Sequence, residues 1–184
     1  MNLKELNQHL KQADLIYNYP QIQDALRNQA EEINGFLQSL SADSEPALVL
    51  PVMNGGLIYA GQLLPLIKEP VQVDYIHATR YRNTTEGHDL DWKVYPQHKL
   101  KNRTVIVLDD ILDEGHTLDA IIRYCIEQGV DQVLSAVLVT KQHERREKHI
   151  VADFSAMDVE DRYVFGFGMD YKGQLRNLDG IYAI

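Results

Sequence analysis

The sequence predicts an α/β fold with a mostly parallel central sheet flanked by helices. Three observations carry that prediction. Residues 47–52, 104–108 and 132–139 are short apolar runs bounded by turn residues, which read as buried strands. Helical patterns lie between them, most clearly over residues 20–40 and from Leu118 onward. Glycines at 55, 56, 115 and 129 punctuate the joins.

Taken in order, residues 1–12 and 20–40 read as helices, with Pro20 near the start of the second. Ile22, Leu26, Ala30, Ile33 and Leu37 recur there at helical spacing and form a core-facing stripe. The strand at 47–52 breaks at Met53-Asn54-Gly55-Gly56 before another helix. Paired glycines there allow close backbone approach to a ligand, and an ordinary strand–helix turn fits equally. Residues 71–78 alternate Val71, Val73 and Tyr75 against Gln72, Asp74 and Ile76, which predicts a half-buried strand. Residues 79–94 are polar, with little periodicity, and read either as a lid or as a solvated loop. Arg80 and Arg82 bring charge suited to polyphosphate.

The strand at 104–108 runs into adjacent carboxylates, Asp109 and Asp110. The loop Asp113-Glu114-Gly115-His116-Thr117 follows, and a helix is expected from about Leu118. Gly115 permits a tight turn, and Thr117 is expected to cap the helix with its hydroxyl. Backbone N–H groups and the positive helix end then converge on one point, a site for an anion such as phosphate. Beyond it, Gly129 is expected to end the helix, and the strand at 132–139 finishes in Thr140 and Lys141. The stretch QHERREKH reads as a charged surface with no chemistry assigned. In EDRYVFGFGMDYKGQLRNLDG, Tyr163 can stack on a flat base, worth about 1–3 kcal/mol. Gly166 and Gly168 suggest close backbone approach, although an ordinary edge strand with core aromatics fits the same letters.

Length and composition bound the function. A chain of 184 residues suits one domain with a sizeable core. A formal net charge of −9 argues against non-specific nucleic-acid binding. No apolar run is long enough to span a bilayer and no signal peptide is read, so no membrane association is expected. The single cysteine, Cys125, lies on an apolar helix face, reads as a buried structural thiol and fits a reducing cytoplasm.

The acidic loop sets the chemical problem. Asp109, Asp110, Asp113 and Glu114 surround a site built for a negative ligand. Two unit charges about 5 Å apart repel by roughly 3 kcal/mol at an effective dielectric near 20. Mg²⁺ offsets this naturally, because it bridges one or two carboxylates to substrate phosphates. A carboxylate there can also transfer a proton. Acidic residues stabilising a helix dipole without any ligand explain the same pattern, so both readings stand at this point. The ligand spacing of an EF-hand and the Gly-Lys-Ser/Thr of a P-loop are absent.

VIVLDDILDEGHTL resembles the phosphoribosyl pyrophosphate-binding motif of the type I phosphoribosyltransferases, and among them the hypoxanthine-guanine enzymes. The likeness spans roughly residues 45–180 and includes the YVFGFGMDY stretch and the later Arg176. It implies a single domain, residues 1–184, with a core at about 45–150 and a small hood from about 1–40 and 155–184. It implies purine salvage: hypoxanthine or guanine plus phosphoribosyl pyrophosphate giving the nucleoside monophosphate and pyrophosphate. A xanthine-preferring enzyme and a non-catalytic sensor of the same fold are the alternatives.

On that resemblance Asp113 is the catalytic residue, sharing the N7 proton of the base. Asp109, Asp110, Asp113, Glu114, Gly115, His116 and Thr117 would bind the phosphoribosyl group and its 5′-phosphate. Met53, Asn54, Gly55 and Arg176 would take pyrophosphate, with a non-proline cis peptide at Met53–Asn54. Arg80, Tyr81 and Arg82 would belong to a flap that closes over the reaction. Lys141 would reach the 6-oxo group, Tyr163 would stack on the purine, and Val164 and Asp170 would complete the base site. Mg²⁺ would be held by Asp109 and Asp110, Asp170 would help hold a second metal ion, and the protein is expected to be a homo-dimer or homo-tetramer. Two positions depart from the family: Asn54 stands where a cation is frequent, and Glu114 where Thr or Ser is usual.

Overall fold

The computed structural model describes residues 1–80, 90–145 and 150–184. Two N-terminal helices, α1 (Leu3–Gln12) and α2 (Tyr19–Gln38), flank a short strand, β1 (Asp14–Tyr17). Each helix begins with an asparagine capping box, Asn2 with Glu5 and Asn18 with Gln21, which satisfies donors that the first turn leaves open. The chain continues through β2 (Leu48–Pro51), α3 (Gly56–Leu63), a 3₁₀ turn (Leu64–Leu66), β3 (Gln72–Val73) and β4 (His77–Arg80). After β5 (Leu90–Val94) come β6 (Thr104–Leu112), α4 (His116–Glu127), β7 (Gln132–Gln142) and β8 (Phe154–Glu160). Two short strands, β9 (Val164–Phe165) and β10 (Ile181–Ala183), close the chain.

Five strands form one sheet in the order β3-β2-β6-β7-β8, with every neighbouring pair parallel. This is the predicted α/β architecture, and its strands are apolar on both faces because helices cover both. Val49, Ile106 and Leu108 pack beneath Ile22, Leu26 and Ile33 of α2 and Tyr59 and Leu63 of α3. Leu48, Leu50, Val105 and Val107 point the other way, onto Leu118, Ile121 and Cys125 of α4. The core stripe of α2 is therefore real, and a fully buried Leu or Ile contributes about 1.5–3 kcal/mol. A buried polar link supplements it: Gln29 Nε2 donates to the Val137 carbonyl at 2.9 Å, and Tyr59 Oη donates to Gln29 Oε1 at 2.7 Å. A separate antiparallel sheet, β1-β10-β9, joins the two termini, and β4 pairs with β5 in a hairpin. Among the described residues no helix is long and apolar enough to cross a membrane.

Several local expectations change. Residues 71–78 are two strands in different sheets, not one. Their alternation is also inverted, since Ile76 is fully buried while Val73 and Tyr75 are exposed. Parallel bonding to β2 runs on past β3, with the Asp74 N–H donating to the Val49 carbonyl and the Ile76 N–H to the Pro51 carbonyl, each at 3.1 Å, while the Asp74 carboxylate accepts the backbone N–H groups of Tyr75, Gln97 and His98. Strand β6 continues past residue 108 through both aspartates to Leu112, because β7 runs long enough to pair with it. Helix α4 starts at His116, its N-cap is Gly115 in the left-handed conformation (φ 90°), and no side chain caps it; Thr117 sits inside the first turn. Gly129 follows the C-cap with φ 77°, as the helix stop required.

Candidate active site

Ligand sites in open parallel sheets lie beyond the strand C-termini. Here the ends of β2, β6 and β7 open into a cleft of about 650 Å³, within the usual range for small-molecule sites. Its wall includes Met53, Asn54 and Gly55 after β2, Asp109, Asp110 and Asp113 on and after β6, and Lys141 near the end of β7. Gly115 and Thr117 at the N-terminus of α4, and Tyr163, Val164, Asp170 and Arg176 from the C-terminal segment, complete it. Glu114 and His116 lie outside this wall, with their side-chain carboxylate and imidazole 3.8 Å apart. Tyr81 and Arg82 lie outside the described residues, and of Arg80 only the backbone, in β4, is described.

Asp109 and Asp110 are both buried at the floor of the cleft. Burial pushes the Asp109 carboxyl well above the usual carboxylate range, and the neighbouring Asp110 charge raises it further. Burial also raises Asp110, against the pull of a hydrogen bond with Asp109 and the Arg176 guanidinium, whose Nη1 is 3.8 Å away. Two carboxyls held above their ordinary range beside a cleft favour a cation. Their all-oxygen donor set suits Mg²⁺, which keeps waters and takes its remaining ligands from a substrate.

Asp170 is engaged differently. One of its oxygens accepts from Arg176 Nη2 at 2.7 Å and the other from the Gly173 N–H at 2.6 Å. Among the described residues no group of three or more His, Cys, Asp or Glu side chains is gathered as a metal site, and both Asp170 oxygens are committed to Arg176 and Gly173. Arg176 stands between Asp170 and Asp110, also donating to the Gly168 carbonyl at 2.5 Å. The Met53–Asn54 peptide is cis. Gly55 is pressed against the floor: a Cβ there would lie 2.1 Å from Asp110 Oδ2. Gly168 (φ 106°) meets the same loop, where a Cβ would fall 2.3 Å from the Gly55 carbonyl oxygen. The close approach expected at Gly168 thus locks the C-terminal segment onto the 53–56 loop.

Asp113 sits in the middle of the opening. Its Oδ2 accepts from Lys141 Nζ at 2.8 Å, and its Oδ1 lies 2.6 Å from His143 Nε2. Burial alone would raise this carboxyl, but the hydrogen bonds from Lys141 and His143, with the Lys141 charge, outweigh it and hold the group below the usual carboxylate range. Tyr163 is half exposed on the cleft wall, its ring edge-on to Tyr171 at 5.5 Å and its hydroxyl donating to the Asp170 carbonyl at 3.2 Å.

His143, which the sequence reading left within a charged surface stretch, is one residue that reading missed; His77 and Thr79 on the cleft wall are others. A signal for His143 existed: it is two residues past Lys141 on an extended chain, which puts both side chains on one side.

The phosphoribosyl transferase domain family matches residues 12–173, most of the chain. A hypoxanthine-guanine-xanthine phosphoribosyltransferase of Tritrichomonas foetus is 25% identical over 89% of this chain and 87% of its own. A hypoxanthine-guanine phosphoribosyltransferase of Bacillus subtilis (strain 168) is 26% identical over 85% of this chain and 86% of its own. The crystal structure of a hypoxanthine-guanine phosphoribosyltransferase from Bacillus anthracis superposes with a TM-score of 0.84 at 26% identity, covering 93% of this chain and 98% of that one. The similarity thus covers most of each chain and includes β2, β6 and β7, whose ends open onto the cleft.

Proposed function

Because the chain belongs to the phosphoribosyl transferase domain family, we propose that it is a purine-salvage enzyme that couples a 6-oxopurine, hypoxanthine or guanine, to phosphoribosyl pyrophosphate. The observation that carries this reading is the pairing of Asp113 with Lys141 in the same cleft as the half-exposed ring of Tyr163. A carboxylate, a cation and an aromatic face are what a base with an acidic ring N–H and a carbonyl requires.

In the reaction, N9 of the purine bonds to C1′ of the ribose as the bond from C1′ to the pyrophosphate oxygen breaks. The electron pair leaves with pyrophosphate, and the proton displaced from N7 goes to Asp113. A positioned carboxylate in this role contributes about 10²- to 10⁴-fold. Lys141 donates to the 6-oxo group, Tyr163 stacks on the ring, and Val164 meets its edge. The Gly115–Thr117 turn and the first N–H groups of α4 receive the 5′-phosphate, helped by the positive helix end. The Glu114 side chain, off the cleft wall, leaves room for that dianion. Met53, Asn54, Gly55 and Arg176 receive pyrophosphate, while Asp170 orients Arg176. Asp109 and Asp110 orient the ribose hydroxyls and would hold Mg²⁺, which would supply charge neutralisation for the departing pyrophosphate. The free thiol of Cys125 suits a cytoplasmic enzyme.

Pyrophosphate release with Mg²⁺ and phosphoribosyl pyrophosphate, measured in parallel with hypoxanthine, guanine, xanthine, adenine and orotate, tests the reading. Turnover with hypoxanthine or guanine is expected. Turnover with adenine or orotate alone would overturn the choice of base. Ligand binding without turnover on any base would leave a sensor of the same fold.

A further inference from the structure

The chain leaving β7 carries an imidazole that the reaction above does not use. The His143 side chain is only 3% exposed, and its two nitrogens are committed to different partners. Nδ1 accepts the backbone N–H of Arg145 at 3.1 Å, and Nε2 faces Asp113 Oδ1 at 2.6 Å. A neutral imidazole has one N–H. With Nδ1 acting as acceptor, that proton sits on Nε2 and is donated to the carboxylate. The backbone that fixes the ring is itself tied down, because the Arg145 guanidinium forks onto both oxygens of Asp161 at 2.6 and 2.7 Å.

We propose that His143 is a positioning residue for Asp113, holding the carboxylate in aim when Lys141 turns from it to the 6-oxo group of the base. The inference rests on the roles given above to Asp113 and Lys141. In the ligand-free protein the carboxylate has two anchors, one per oxygen. Lys141 is a flexible ammonium that weakens its hold on Asp113 as it turns to a base oxygen. His143 is a ring pinned by a main-chain donor, and it stays. The exchange also suits the chemistry: a carboxylate balanced by an ammonium is a poor proton acceptor, and one left with a neutral donor is a better one. Recognition of the 6-oxo group and release of Asp113 for proton transfer are then a single event. With Nδ1 occupied by the Arg145 N–H, the ring has no free acceptor through which to pass a proton onward, so its part is to hold and not to relay.

The test compares wild type, His143→Ala and His143→Gln with hypoxanthine and phosphoribosyl pyrophosphate as substrates. Glutamine places an amide N–H near the position of Nε2 but cannot titrate. Misplacing a catalytic group by about 1 Å can cost 10²-fold, so the alanine variant is expected to lose about 10- to 100-fold in kcat, with both KM values within about threefold of wild type. Glutamine is expected to recover most of that loss. An alanine variant with kcat within about twofold of wild type overturns the proposal, as does a glutamine variant no faster than alanine. The ring itself gives a second readout that needs no variant: ¹⁵N shifts of His143 in the free protein should report the Nε2–H tautomer, and Nδ1–H overturns the proposal whatever the activity. Wild-type protein inactive with all the bases would instead sink the purine-transferase reading, with the tautomer still deciding whether His143 holds Asp113.

Discussion

Replacing Asp113 by asparagine separates the chemistry of this site from its stability. The amide keeps one acceptor oxygen and puts an NH₂ where the second stood, so it can satisfy Lys141 or His143 but not both. A hydrogen bond to a charged group is worth about 1.5–3 kcal/mol. The Asp113 side chain is 35% exposed, and solvent screening brings the stability loss to roughly 1 kcal/mol. The kinetic loss is larger: removing a general base typically costs 10²- to 10⁴-fold, about 2.7–5.5 kcal/mol at the barrier. Turnover should therefore fall at least about 100-fold while the protein stays folded and binds phosphoribosyl pyrophosphate nearly as before. Steady-state pyrophosphate release and a thermal melt on the same samples measure both quantities. The pH dependence gives a further check with a definite sign. Because its folded-state pKa is depressed, Asp113 contributes stability that is present above its unfolded value of about 3.9 and is lost as pH falls through the lower folded value. The difference in melting temperature between wild type and Asp113→Asn should shrink on acidification through that window. A variant within about tenfold of the wild-type rate would remove Asp113 from proton transfer.

Four further outcomes are expected. Tyr163→Ala should raise the KM for hypoxanthine by about 5- to 150-fold, the equivalent of about 1–3 kcal/mol of stacking, and leave the KM for phosphoribosyl pyrophosphate unchanged; equal changes in both would argue against stacking. Gly55→Ala, at a helical φ of −60°, should fold normally yet displace the Asp110 carboxylate and raise the KM for phosphoribosyl pyrophosphate about tenfold or more. Gly168→Ala meets a backbone oxygen at positive φ instead, and should cost more than about 1 kcal/mol of stability in a denaturant titration. Cys125, fully buried and with its thiol pushed up to about 12 by burial, should resist alkylation at about pH 8 in native protein and react on unfolding.

Much of this protein is legible in its letters, because the relevant signals are local. The apolar runs, the α2 stripe, the left-handed turn at Gly115 and the helix stop at Gly129 each depend on residues within a few positions of one another. The acidic pair, the glycine turn and the helix after it were likewise legible, since strand, turn and helix N-terminus are contiguous in sequence. Residues 71–78 were misread because alternation reports a half-buried strand without saying which half is buried. Parallel pairing with β2, which carries on past β3 to a bridge between Val52 and Ile76, decided that.

What the sequence alone determined was the kind of sheet and most of the residues that line the cleft at its edge. Which charge meets which was decided by tertiary structure. The parallel register of β6 on β7 sets Leu112 against Thr140, and so brings Asp113 beside Lys141 and His143 from nearly thirty residues away. The fold of the C-terminal segment directs Arg176 onto Asp170, a pairing that its motif did not foretell. Strand periodicity is a property of one strand, whereas an ion pair between strands depends on register, and register is set by packing across the whole sheet.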